Sequence, residues 1–357
     1  MTRTALNLYL SGSAPVDFGT DGSGGFNNPL LKAMAKNGFR LAKFNDAQVH
    51  VYVNHKSEAW GRPFKDRAVF RVLIRTEPFS VFPAQYKARV ENKYDLIITT
   101  GLPEGEHEKF INLPHPYKKM SNPNFPLQSN HENLETSPEA NSGFHDLTQW
   151  QNRPIFMSLI AANKVSSTED SNYALRRQFA KASVENNLMI FGGLWNDSLV
   201  ARIHHRLGVG LHALRNGTIP NLKDLYGELH LKYENYMGAP EDKQVVMRES
   251  KFALVIENSD TYVSEKLFDA LIAGSIPIYF GPDLSKYGIS EDNLVIRHHE
   301  GLNQLKFQLE SMSVDEISLR LNTIQKFVHS TKFTAEWEAS TIFSKIAIKI
   351  SEHLEGK

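Results

Sequence analysis

The chain has 357 residues, with 40 Lys and Arg against 40 Asp and Glu, and no cysteine. Its length supports two domains with substantial cores. The zero net charge removes any bulk electrostatic case for nucleic acid as a partner, and the lack of cysteine excludes disulfides, thiolate nucleophiles and cysteine metal sites.

Leu6–Leu10 reads as a first strand into which Met1–Leu6 leads directly, and the apolar run there is expected to be too short for a signal peptide or membrane anchor. A glycine-rich loop from Gly19 to Gly25 leads to a short helix near Pro29. Within it, Gly22-Ser23-Gly24-Gly25 lacks the G-x-G-x-x-G spacing and the P-loop lysine, so a flexible loop is preferred to a phosphate cradle. Val49–Val53, Val72–Ile74 and Leu96–Thr99 are further short apolar strands. Arg75-Thr76-Glu77-Pro78 follows the second of these. Ligands of open α/β sheets collect beyond the carboxyl ends of strands, so Glu77 sits where its side chain can point into the cleft; the competing reading is a Glu-Pro turn that caps a helix. Glu104, Glu106 and Glu108 read as a solvated acidic loop. From about Lys119 to Gln151 the chain turns polar and is expected to be a long irregular connection with an interdomain linker.

Order resumes with a strand at Ile155–Ala162, a helix around Tyr173–Ser183 and a strand at Leu188–Phe191. The loop Gly192-Gly193-Leu194-Trp195-Asn196 is either an ordinary strand exit or the border of a ligand cleft. His204-His205 reads as helix surface rather than a metal site. Phe252–Ile256 is an unbroken apolar run, the pattern of a parallel strand buried on both faces. The polar turn Glu257-Asn258-Ser259-Asp260 follows. Val263, Leu267, Phe268, Leu271 and Ile272 then repeat at helical spacing, Gly274 ends that helix, and Ile276–Phe280 is the next strand. Tyr262, Glu265, Lys266 and Asp269 share one face of the helix. Lys266 sits in its first turn, where the dipole disfavours a cation unless a bound diphosphate reverses the field. The alternative is a solvated face with a Glu–Lys pair. After Val314 the chain reads as helical to its end, without sustained heptads, so dimerisation gains no support. The amphipathic run from Phe343 to Leu354, with Lys345 and Lys349, is expected to pack on the first domain, with peripheral membrane contact as the alternative. The expected division is 1–150, 151–335 and a final helix at 336–357: two Rossmann-like domains facing a central cleft.

Phe252–Pro282 closely resembles the signature segment of the α-1,3/1,4-fucosyltransferases (glycosyltransferase family 10). There, an F-E-N-S-like run is followed by Y-V-T-E-K, an apolar helix and I-P-like residues before G-P or G-S. Here it stands as Ile256-Glu257-Asn258-Ser259, Tyr262-Val263-Ser264-Glu265-Lys266, Ala273-Gly274-Ser275-Ile276-Pro277 and Gly281-Pro282, with Ile256 for Phe and Ser264 for Thr. The rest of the chain matches more thinly. The resemblance implies the GT-B architecture, in an α/β fold, and an inverting transfer of L-fucose from GDP-β-L-fucose to a glycan hydroxyl. The expected linkage is α-1,3 on GlcNAc or glucose of a bacterial surface polysaccharide.

By the same resemblance, Glu77 matches the base of an E-S-P or E-P element. Lys266 and Arg176 would hold the diphosphate, with Arg177 the alternative match for Arg176. Glu257, Asn258, Tyr262 and Glu265 would surround the donor. Glu265 would bind ribose or fucose hydroxyls, or else hold Lys266. No metal is required, although divalent ions can aid diphosphate release. The implied location is cytoplasmic, with peripheral contact at the inner membrane as a variant. The competing functions are a GT-B enzyme with another sugar nucleotide and a non-catalytic glycan- or nucleotide-binding homologue.

Overall fold

The computed structural model describes residues 6–12, 27–54, 69–117, 145–166, 168–196, 198–215, 232–298 and 304–356. The Gly19–Gly25 loop and most of the polar connection lie outside them. In chain order the elements are β1 (Leu6–Gly12), α1 (Asn27–Lys36), β2 (Phe39–Leu41), β3 (Val49–Val53), β4 (Phe70–Arg75), α2 (Ala88–Glu91), β5 (Leu96–Thr100), β6 (Gly105–His107), β7 (Phe110–Leu113), α3 (Leu147–Gln151), β8 (Ile155–Ile160), α4 (Tyr173–Lys181) and β9 (Leu188–Phe191). They continue with α5 (Leu199–Arg215), α6 (Lys243–Glu249), β10 (Ser250–Ile256), α7 (Glu265–Ile272), β11 (Ile276–Phe280), α8 (Leu305–Glu310), α9 (Val314–Val328), α10 (Thr331–Trp337) and α11 (Ala339–Glu355).

The chain divides into two compact units, Met1–Lys119 with Thr334–Lys357, and Met120–Phe333. The division falls earlier than the expected 150/151. The reason lies in α3, whose buried Trp150 donates its indole N–H to Lys251 O at 2.8 Å and stacks edge-on against Phe252. This ties the end of the polar connection to the second unit.

In the first unit, the described strands form one sheet in the order β2-β1-β3-β4-β5-β7-β6, parallel except for β6. Its inner strands β3 and β5 are buried at every residue because both faces are covered. Val49, Val51, Val53, Val72, Ile74 and Ile98 pack on one side with Leu30 and Met34 of α1 and with Ile342, Phe343, Ile346 and Ile350 of α11. Tyr52, Leu73 and Ile97 pack on the other side with Val90 and Tyr94. The apolar face of α11 is therefore buried in this core and is not offered to a membrane. Its Lys345 and Lys349 reach Glu104 at 2.8 Å and Glu106 at 2.7 Å. The acidic segment thus contains an antiparallel edge strand and is paired with two lysines of α11, rather than being a free loop. Among the described residues no helix is long and apolar enough to cross a membrane.

In the second unit, the described strands form a parallel sheet in the order β11-β10-β8-β9. Parallel bridges extend both edges, Ile296 beside Ile278 of β11 and Tyr236 beside Ile190 of β9. Chain order reverses between β8 and β10. That junction is the switch point at which an open α/β sheet leaves a crevice beyond its strand ends.

Candidate functional site

β10 delivers Glu257 to the switch point. The strand is buried, so the residue that follows it is buried too: Glu257 is 0% exposed. Its carboxylate accepts the Ser264 N–H at 3.0 Å and the Ser264 hydroxyl at 2.6 Å. Lys266 Nζ donates to the same hydroxyl oxygen at 2.8 Å and stands 3.6 Å from Glu257 Oε2. Ser264 also caps α7, its oxygen accepting the Lys266 N–H at 3.4 Å. One hydroxyl thus gives its proton to the carboxylate and accepts from the ammonium. Burial pushes the Glu257 carboxyl above the usual carboxylate range, with Lys266 and the Ser264 bonds opposing it. The sequence marks Ser264 only as a replacement for Thr, whereas in the fold it is the hub of the turn.

Close packing shapes the next strand exit. A Cβ on Gly281 would meet Tyr279 Oη at 2.6 Å and Glu257 Cγ at 2.8 Å, so no larger residue fits without displacement. Arg297 binds Gly281 O at 2.9 Å and Pro282 O at 2.7 Å, pairs with Glu291, and lies 4.6 Å over the Tyr279 ring. Sequence reasoning missed this clamp, because Arg297 lies beyond the motif it supports.

Arg176 and Arg177 of α4 are both buried. Arg176 Nη2 donates to Ile256 O and to Asn258 Oδ1, both at 2.8 Å, and its guanidinium lies 4.8 Å over the Tyr173 ring. It braces the end of β10 through Asn258. Burial lowers its pKa, with Tyr173, Glu257 and Glu265 opposing the shift. Arg177 Nη1 instead donates to Lys164 O at 3.0 Å, in the segment after β8. Tyr262 is buried, and Glu265 is half-buried. Asp269, expected on a polar face, is buried and paired with Lys243 at 2.6 Å; burial pushes its carboxyl up to about 6.

Two buried oxygens near this turn have no hydrogen-bond partner, Ser158 Oγ on β8 and Asn163 Oδ1 just past it. Ser158 to Ala161, Ala253 to Ile256, Met247 and Lys266 line a small cavity between β8 and β10. The loop from Gly192 to Asn196 closes on the end of β8. Trp195 is fully buried and gives its indole N–H to Ala161 O at 2.6 Å. Gly192 has φ +120°, and a Cβ there would come within 2.3 Å of the same oxygen.

In the first unit, Glu77 follows the end of β4 and is half-buried. Its backbone is held from both sides. Glu77 O accepts from Gln85 Nε2 at 3.1 Å and from the Tyr86 hydroxyl at 2.9 Å. The preceding Thr76 exchanges two hydrogen bonds with Asn54, at 2.9 and 2.8 Å. Beneath it, buried Arg75 binds Gln85 O at 2.7 Å and Glu91 at 2.6 Å. Among the described residues no group of three or more His, Asp or Glu side chains is arranged to hold a metal ion. His204 is exposed and His205 half-buried on α5.

No family model matches the chain. Two proteins of Arabidopsis thaliana match part of it. A putative fucosyltransferase-like protein is 33% identical over 89 residues, 24% of this chain and 17% of that protein. An α-(1,4)-fucosyltransferase is 36% identical over 80 residues, 22% and 20% of the two chains. The chain thus spans about a fifth of the curated relatives it matches. Among solved structures, an α1,3-fucosyltransferase with GDP superposes with a TM-score of 0.54 at 14% identity, over 99% of this chain and 92% of that one. HepE of Anabaena, in complex with UDP and glucose, gives 0.56 at 9% identity, over 97% and 100%. These structural likenesses carry the fold. The chain has the GT-B fold, and one segment of it, about a quarter of its length, is similar in sequence to fucosyltransferases.

Proposed function

We propose that the chain is an inverting glycosyltransferase that moves L-fucose from GDP-β-L-fucose to a glycan hydroxyl, in α-1,3 linkage to GlcNAc or glucose of a surface polysaccharide. The observation that carries this reading is the Lys266 ammonium, fixed in the first turn of α7 beyond the end of β10. A helix start is a costly place for a cation and a favourable one for an anion. A diphosphate there would meet both the ammonium and the positive end of the helix dipole. GDP leaves only if its developing charge is stabilised, and a pre-placed cation does so without reorganisation at the moment of reaction. Glu257 and Ser264 position that cation. Arg176 adds a buried positive charge and holds Asn258, while Tyr262 and Glu265 complete the donor side.

Inversion in one displacement forms the bond from acceptor oxygen to anomeric carbon as the bond to GDP breaks. The acceptor hydroxyl loses its proton in that step and requires a base; Glu77 has that role. No metal is needed for this chemistry, although a divalent ion can aid release of GDP. The fold shared with HepE, solved with UDP and glucose, favours one alternative, a different sugar nucleotide as donor.

Calorimetry with GDP, GDP-fucose, GDP-mannose and UDP-glucose, followed by GDP release, tests both readings. Guanine nucleotides should bind best, and GDP-fucose should turn over slowly without acceptor. Lys266→Ala should lose donor binding. Glu77→Ala should keep it and lose transfer. Equal GDP affinity in wild type and Lys266→Ala would sink the diphosphate assignment, and preference for the uridine donor would install the alternative.

A further inference from the structure

The peptide that carries Glu77 is gripped from two directions. On one side stands Asn54, the residue after β3. It is buried and left-handed, with φ +54°, a conformation that Asn tolerates better than most residues. Both ends of its amide serve Thr76: Oδ1 accepts the Thr76 N–H and Nδ2 donates to the Thr76 hydroxyl. On the other side is the turn Pro83–Tyr86, from which Gln85 and Tyr86 both donate to Glu77 O. The Tyr86 ring lies 4.2 Å from the Arg75 guanidinium and edge-on to Phe79 at 5.8 Å. Arg75 is itself buried and anchored on Gln85 O and Glu91. Between the two grips, Pro78 holds Glu77 to extended backbone.

A surface turn needs neither a left-handed buried Asn nor a buried guanidinium, and each carries a cost. Here both serve one short segment, residues 76 and 77. A general base acts only within hydrogen-bond reach of its proton, and a misplacement of about 1 Å can cost about a hundredfold in rate. Two bonds on Thr76 and two on Glu77 O oppose such a shift. We propose that Asn54 and Tyr86 are positioning residues that hold the Glu77 peptide where its carboxylate takes the acceptor proton. This rests on Glu77 being the base.

The test is GDP release from GDP-fucose in a single turnover, with water, GlcNAc or glucose as acceptor. Tyr86→Phe keeps the ring and removes only the hydroxyl; it should slow release about tenfold or more while GDP affinity and the KM for GDP-fucose stay at wild type. Thr76→Val, which removes the acceptor for Asn54 Nδ2, serves if Tyr86→Phe does not give a normal thermal melt. In a Glu77→Ala background, Tyr86→Phe should slow the residual rate no further, because there is no carboxylate left to position. Wild-type rates in folded Tyr86→Phe and Thr76→Val, with Glu77→Ala inactive, would overturn the positioning proposal alone. Losses that simply multiply in the double variant would do the same, by showing a structural role. A wild-type rate in Glu77→Ala, or no release from wild type, would overturn the base reading and this proposal with it.

Discussion

Removing the Lys266 ammonium while keeping its stem, as in Lys266→Met, should destabilise the second unit in a pH-dependent way. The ammonium stands 3.6 Å from a fully buried carboxylate. At an effective dielectric of about 20 their attraction is about 4.6 kcal/mol. Breaking a buried pair by deleting one partner costs about 3–5 kcal/mol. The cost here should be lower, about 2–3 kcal/mol, because Lys266 is partly exposed and Glu257 keeps both Ser264 bonds. That corresponds to a fall of roughly 5–10 °C in the melting of this unit.

The sign follows from linkage. The Glu257 carboxyl already titrates above its ordinary value. Its contribution is therefore full below the unfolded pKa of about 4.3 and is lost as pH rises through the folded value. Losing Lys266 raises that folded value further, so the variant should be near wild type at about pH 4.5 and at its worst near about pH 8. Scanning calorimetry at both pH values, with Glu257→Gln and the double variant, completes the cycle. The double variant should recover stability at the higher pH, because no stranded charge remains. An equal loss at both pH values, with no recovery in the double variant, would refute Lys266 as the counterion of Glu257.

Gly281→Ala should cost about 1–3 kcal/mol by overpacking, since the added methyl would meet Tyr279 Oη at 2.6 Å and Glu257 Cγ at 2.8 Å; an unchanged urea midpoint would contradict this. Asp269 titrates near 6 because burial raises it, so its favourable contribution is full below about pH 3.9 and fades as pH rises through about 6. Asp269→Asn should remove that slope and equal or exceed wild-type stability at neutral pH, because its partner Lys243 is 44% exposed and keeps contact with water. A wild-type urea midpoint that does not vary between about pH 4 and 7.5 would contradict it. Ile346→Ala should cost about 2–5 kcal/mol in the first unit, where this residue is wholly buried; denaturation of the variant checks that α11 belongs to that core.

Leu188–Phe191 and Ile276–Phe280 are legible to the residue, because parallel strands covered on both faces carry uninterrupted apolar runs, and Val49–Val53 is as legible with only His50 among its apolar residues. The β6–β7 hairpin is not legible. Its acidic strand has no apolar alternation, and its charge partners on α11 lie more than two hundred residues away. Arg176 shows the same limit within the site. Helical spacing says which face it shares, but only the fold turns that face inward against the end of β10.

The sequence by itself determined the βαβ segment at 252–282, the short strands before it and the acidic and basic residues that stand at strand ends. Those features follow from local periodicity and burial, which are written in consecutive residues. The tertiary structure decided the partnerships: Ser264 between Glu257 and Lys266, Arg176 on Asn258, Arg297 on the Gly281 turn, and Asn54 on Thr76. Hydrogen bonds and ion pairs depend on ångström distances between segments far apart in the chain, and only packing sets those distances.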